Sequence, residues 1–180
     1  ISGNYRLGEF HGAILNAQLE RLETQTKTRD RNGQYLASKI KGLPGLHPQK
    51  RPADCTRHSY HLFMLRVDSA KFGARRTAVV KALQAEGIPC SSGYGFSLHE
   101  QPMFRHKSFG PYLHQASTKL NYSKTRCPNS DLICREQGLW IEQSVFLGPK
   151  SDMDDIVRAF NKLHENREAL SDWSRKKQSS

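Results

Sequence analysis

Long apolar runs are missing from this 180-residue chain. No stretch approaches the ~18 consecutive apolar residues of a membrane span, and no basic-then-apolar leader opens it, which sets aside membrane and secreted readings. Cysteine is scarce: four, at positions 55, 90, 127 and 134, with no CxxC pair and no histidine at finger-like distance from the 127/134 pair. Neither a zinc site nor a disulfide framework is indicated, and reduced thiols in the cytoplasm are the default. Cys90, after Ile88-Pro89, reads as a small buried residue. The common catalytic signatures are absent too: no HExxH, no GxSxG, no P-loop and no Rossmann glycine fingerprint. Of the eight histidines only His58 and His61 lie within four residues of each other. On a strand they face opposite ways and cannot share a metal, so His61 reads as a packed or hydrogen-bonded strand residue. No metal-ligating residue is assigned. An initiator methionine is also lacking: the chain opens Ile1-Ser2-Gly3, as a processed product or a fragment does.

Acidic residues are few, 17 against 28 Lys and Arg, for a net charge of +11 and a pI near 9.7. Such a balance invites phosphate binding. The basic residues are nonetheless spread over the first helix, Lys50-Arg51, Arg75-Arg76, Arg105-His106-Lys107 and the tail, with no recognition motif, so a solvated surface is expected and nucleic acid is set aside. Apolar residues make up 36%. That is low but sufficient for a core, since a domain of ~150 residues buries roughly 68–70% of its unfolded surface.

From Glu9 to about Lys41 the pattern is helical. Phe10, Ala13, Ile14, Ala17 and Leu22 form one stripe, and Tyr35, Leu36 and Ile40 resume it after Gly33, which weakens the helix locally. Gly42 and Pro44 end it. A helix of ~30 residues spans some 45–50 Å, more than a small domain covers. Residues 45–57 read as a loop. Ser59–Val67 is nearly continuously apolar, as a strand covered on both faces would be. Arg75–Glu86 gives a second helix with Val79, Val80 and Leu83 inward, and Cys90 opens a short strand. Residues 97–130 show no sustained period and read as a long functional loop. Leu139–Leu147 is a last strand. Ser151-Asp152-Met153-Asp154 matches a capping box opening a final helix, whose stripe is Ile156, Val157, Phe160 and Leu163. The expected architecture is mixed α/β: a long N-terminal helix, then a sheet of three or four strands with two helices on one face.

Gly3-Asn4-Tyr5-Arg6-Leu7 sets an amide and a guanidinium just ahead of a helix N-terminus, where open N–H groups and the dipole favour an anion. By spacing alone an ordinary helix approach is the favoured reading. With Glu9-Phe10, Ala13-Ile14-Leu15 and Gln18–Leu22 after it, the segment resembles the DegT/DnrJ/StrS family of pyridoxal-phosphate-dependent sugar and cyclitol aminotransferases of fold type I. Further matches follow in family order: Tyr60–Met64, Glu86–Tyr94, Gln101–Phe104, Cys127-Pro128 and Asp152–Ile156.

The resemblance implies that Asn4, supported by Tyr5 and Arg6, reaches the cofactor phosphate across a homodimer interface, and that Tyr94 and His99 face a keto-sugar or keto-cyclitol substrate. It also implies that the Schiff-base lysine and the aspartate pairing with the pyridinium nitrogen belong to a segment upstream. Lys27, Lys39 and Lys41 match no catalytic position, so no catalytic residue is assigned and the chain alone is expected to be inactive, binding pyridoxal phosphate poorly or not at all. Gly8 stands where the family has Thr or Ser, and His11 where it has Gln. Three regions are expected: residues 1–42, the linking helix; 43–170, a small C-terminal aminotransferase domain; 171–180, a disordered basic tail. The alternative is a non-catalytic basic binding module derived from the family. In either case the stripe of Phe10, Ile14 and Leu22 is expected to stay partly exposed and to promote association.

Overall fold

A computed structural model describes residues 6–108, 110 and 121–176. Helix α1 runs unbroken over Glu9–Ile40. Gly33 does not interrupt it, because the ring of Tyr60 lies flat on the helix there: a β-carbon at position 33 would sit 2.6 Å from that ring. The glycine that weakens the helix locally is what lets the loop dock against it. Tyr60 itself adopts φ +46°, a backbone conformation that few aromatic residues take.

Four strands follow, β1 (Leu46–Pro48), β2 (Leu62–Val67), β3 (Cys90–Ser91) and β4 (Gly138–Glu142). They form one antiparallel sheet in the order β1-β2-β4-β3. Phe63 pairs with Ile141 and Leu65 with Leu139, so these side chains share a face. That face meets three helices rather than the two expected: the second half of α1, α3 (Arg76–Ala85) and α6 (Lys150–Glu165), after the short α2 (Ser69–Phe72), α4 (Pro102–Arg105) and α5 (Pro128–Leu132). Leu36 and Ile40, Val79 and Leu83, and Met153, Phe160 and Leu163 join Phe63, Leu65, Val67, Leu139 and Ile141 in one core.

The opposite face is open. Along β2 the inward residues are buried while Met64 is 40% exposed, so the strand is covered on one side only. The expectation of two-sided cover rests on a run of apolar residues, and the register turns two of them, Leu62 and Met64, outward. His61 lies before β2 and is exposed, not packed within it.

Other boundaries differ as well. Residues 97–130 are not one loop: besides α4 and α5 they hold single turns of 3-10 helix at Leu98–Glu100 and Tyr122–Lys124. After β4 the chain turns into 3-10 helix at Gln143–Leu147, ending the strand five residues early. Pro149, not Ser151, is the N-cap of α6: its carbonyl accepts from the Asp152 N–H at 3.2 Å, and Ser151 lies within the first turn. A further helix α7 (Arg167–Lys176) takes in residues 171–176, the first part of the tail expected to be disordered; residues 177–180 lie outside the described residues. Its start is fixed by Arg167, whose side chain packs on Gly73 and donates to the His164 carbonyl at 3.0 Å.

Two arginines are buried, contrary to a wholly solvated basic surface. Arg29 donates through Nε to the Ser59 carbonyl at 3.0 Å and holds the Tyr60 segment to α1. Arg76 is 8% exposed.

Cys90 is buried as expected, and burial pushes its thiol up to about 11. The thiolate is the reactive form. In a native thiol titration at mildly alkaline pH, the half-buried Cys55, Cys127 and Cys134 are expected to react first, and Cys90 only after denaturant is added. Reaction of all four at equal rates in the folded chain would contradict this packing.

Candidate functional site

The N-terminus of α1 stands clear of the core. The first buried residue along the helix is Thr26. From Glu9 to Thr26 the axis therefore extends ~25 Å beyond the point where packing begins. Leu7, Phe10, Ile14, Leu19 and Leu22 are each more than half exposed on this arm, the exposed stripe that the sequence leads one to expect. Gly8 is the N-cap, extended at φ −74° and ψ 152°, and no side chain caps the helix. The first-turn N–H groups thus present open donors beside the exposed Arg6, with Glu9 as the one acidic group in the turn. Asn4 and Tyr5 lie outside the described residues.

Tyr94 and His99 sit on one segment but in different surroundings. Tyr94 is 68% exposed and meets Trp140 edge-on, with ring centroids 5.2 Å apart. Gly93 makes this approach possible: at φ +71° its α-carbon lies on the same indole, and a β-carbon there would come within 2.8 Å of the ring. His99 turns inward instead, its Nε2 3.8 Å from Asp131 Oδ1. The buried Ser97 hydroxyl donates to the same carboxylate, and Ser97 and Glu100 form a capping box around the 3-10 turn. Glu100 also pairs with Arg105 and Arg135. His99 thus belongs to a polar lock joining this turn to α5, while Tyr94 faces outward. Among the described residues no contact joins Arg6 to Tyr94 or His99.

What holds the Tyr94 turn in place is Arg76, at the start of α3. Its guanidinium donates to the carbonyls of Ser92 (3.2 Å), Cys134 (3.0 Å), Gly138 (3.2 Å) and Arg135 (2.7 Å). Burial pulls the guanidinium below its ordinary value, with Cys134 and Glu136 acting weakly the other way. By sequence alone Arg76 groups with Arg75 as a surface pair. The signal that separates them is periodicity: Arg76 lies three and four residues before the buried Val79 and Val80, on the inward face of α3.

Beside Tyr94 the open sheet face forms a cavity of about 390 Å³, floored by Met64, Trp140 and Gly138 and edged by His47, Lys50 and Arg66. Trp140 and Met64 are cross-strand partners, so the register that makes the core also builds this floor. Among the described residues no cluster of His, Cys, Asp and Glu is arranged to hold a metal ion, and no helix is long and apolar enough to cross a membrane.

A long α1 leading into a four-stranded antiparallel sheet backed by helices is a fold shared with part of fold-type-I aminotransferases. The chain belongs to the DegT/DnrJ/EryC1/StrS aminotransferase family, whose model matches residues 1–159. It is similar to the 3-amino-5-hydroxybenzoate synthase of Amycolatopsis mediterranei (strain S699), 27% identical over 150 residues that cover 83% of this chain and 36% of that protein. It is also similar to the L-glutamine:2-deoxy-scyllo-inosose aminotransferase of Streptomyces kanamyceticus, 28% identical over 177 residues, covering 94% of this chain and 40% of that protein. Among solved structures, 3-amino-5-hydroxybenzoic acid synthase superposes with a TM-score of 0.68 at 24% identity, over 89% of this chain and 40% of that one. The chain spans about two fifths of the length of the curated relatives it matches.

Proposed function

We propose that this chain is the C-terminal portion of a pyridoxal-phosphate-dependent aminotransferase that transfers an amino group, from glutamine or glutamate, to a keto-sugar or keto-cyclitol. The carrying observation is the family match across residues 1–159, with the Gly3–Leu7 motif leading into the open N-terminus of α1. The glutamine-dependent cyclitol aminotransferase among its relatives supports the donor and the acceptor class. The reading includes a cytoplasmic homodimer with the cofactor at the subunit interface, as the family resemblance implies.

The residues present fit one end of the cofactor. The uncapped first-turn N–H groups and Arg6 are donors only, a set suited to a phosphate. Asn4 and Tyr5, carried over from the family motif, would join them. The fit stops at the phosphate. The first lysine along α1 is Lys27, about 25 Å down the helix from its N-terminus and paired to Glu23 at 3.2 Å. When bound, pyridoxal phosphate supplies the electron sink for chemistry at the substrate's α-carbon. The role of this chain's residues is to hold the phosphate and, through Tyr94, to face the substrate. His99 contributes by fixing the turn between Ser97 and α5.

Alone, the chain is expected to lack activity. Mixing it with pyridoxal phosphate and borohydride should give no stoichiometric single-lysine adduct by intact mass, and no transamination of a keto-cyclitol with glutamine. A unique lysine-linked adduct with turnover would overturn the division of labour proposed here. The alternative, a basic binding module, rests on net charge alone, and the burial of Arg29 and Arg76 removes two cations from the surface it would use.

A further inference from the structure

The antiparallel register sorts the open sheet face into two kinds of row. His47 on β1 lies opposite Arg66 on β2, which lies opposite Gly138 on β4. This row carries two basic side chains and then bare backbone. In the next row facing the same way, Met64 pairs with Trp140, which pairs with Ser91 on β3. Its Met64–Trp140 part is apolar and is extended by Tyr94 against the indole. Lys50, just beyond β1, stands on the rim of the same cavity.

The charges are uncompensated. Arg66 donates through Nη1 to the neutral Gln137 side-chain oxygen at 2.7 Å. No acidic side chain lines the cavity, and among the described residues none of the ion pairs involves His47, Lys50 or Arg66. A volume of about 390 Å³ is that of a small-molecule site, where an apolar floor supplies area and a few polar groups set orientation. At Gly138 the row ends: a β-carbon there would lie 2.9 Å from the Ile133 carbonyl, so Ile133 already packs on this backbone and the open part of the cavity lies over Met64, Trp140 and Arg66.

We propose that this cavity binds a small anionic ligand with a planar ring, the ring over Met64 and Trp140 and the anionic group at Arg66 and Lys50. The site uses neither Arg6 nor the α1 N-terminus. It shares only Tyr94 with the proposed substrate surface, so it stands or falls apart from cofactor binding.

The test uses the 180-residue chain carrying Trp173→Phe, which leaves Trp140 as the only tryptophan. It is titrated with 1-anilinonaphthalene-8-sulfonate and with its uncharged relative N-phenyl-1-naphthylamine. The sulfonate is expected to quench Trp140 emission saturably, and the double variant Lys50→Glu/Arg66→Gln to weaken it about tenfold while changing the neutral probe less than about twofold. Met64→Glu, on an exposed position, should weaken both probes and keep the far-ultraviolet dichroism of the parent. The α1 variant Phe10→Ser/Ile14→Ser should leave the Trp140 response intact. Equal loss of both probes in the charge variant would overturn the proposal, as would an unresponsive Trp140. A sulfonate midpoint that rises with protein concentration, in step with dimer formation by sedimentation, would assign the face to a second copy of the chain and also overturn it.

Discussion

Phe146→Ala is expected to destabilise the chain by about 3–5 kcal/mol, the range for truncating a fully buried aromatic side chain. Phe146 is fully buried on the 3-10 turn after β4, where its ring stacks on Phe63 at 5.2 Å and on Tyr60 at 6.1 Å. Such pairs add ~0.5–1.5 kcal/mol beyond the area they bury. The neighbours cannot collapse into the void, because each is held elsewhere. Phe63 is fixed in β2 by its partner Ile141, and Tyr60 is pressed on Gly33. The Phe146 carbonyl is itself held by Asn32 Nδ2 at 2.9 Å, so the turn stays where it is and the cavity remains.

Against a total stability of order 5–15 kcal/mol, this is a large fraction. Thermal unfolding followed by circular dichroism should show a midpoint lowered by roughly 10 °C, at ~2–4 °C per kcal/mol for a chain of this size. Phe146→Leu should recover more than half of the loss. A drop of less than about 1 kcal/mol for the alanine variant would mean that the aromatic cluster is not packed as described.

Phe146 also marks where sequence reading reached its limit. Its place in an apolar run from Leu139 predicts a strand, yet only Gly138–Glu142 pairs in the sheet. Asn32, on the distant α1, takes the carbonyls of Phe146 and Gly148 and holds that segment against the helix. A contact across more than a hundred residues of chain leaves no trace in a local pattern.

Elements whose signals are local were legible. The unbroken stripe of α6 and the inward residues of α3 follow from period 3.6 alone. The family motif likewise located the α1 N-terminus. Where two-sided and one-sided strands share the same composition, as at Leu62–Val67, only pairing decides which face is open, and the cavity by Tyr94 was hidden for that reason. Gly33 shows the reverse case. Its weakness as a helix residue is visible in the sequence, while the Tyr60 ring that requires it comes from 27 residues away.

Arg76→Met is expected to cost about 2–4 kcal/mol and to loosen the Tyr94 turn as it does so. Methionine matches the length of the arginine stem but donates no hydrogen bond. Four backbone carbonyls, at Ser92, Cys134, Arg135 and Gly138, would lose a donor together. Each buried carbonyl left unpaired costs ~1–3 kcal/mol, although a second backbone partner or water lowers the sum. Removing the guanidinium also relieves the cost of burying a cation that no carboxylate pairs with in a salt bridge, which offsets part of the loss. The net is therefore well below four separate penalties. Arg76→Lys should be nearly as damaging, because a single ammonium on a flexible stem cannot span the four acceptors that the planar fork reaches. The local consequence separates this from a general loss of stability. Ser92 leads directly into Gly93 and Tyr94, and Gly138 floors the cavity, so both methionine and lysine variants should raise Trp140 exposure. Acrylamide quenching of Trp140 in the Trp173→Phe background, measured well below the unfolding midpoint, should then increase while the far-ultraviolet dichroism stays unchanged. Unaltered quenching in a destabilised variant would show that Arg76 supports the fold without positioning the turn.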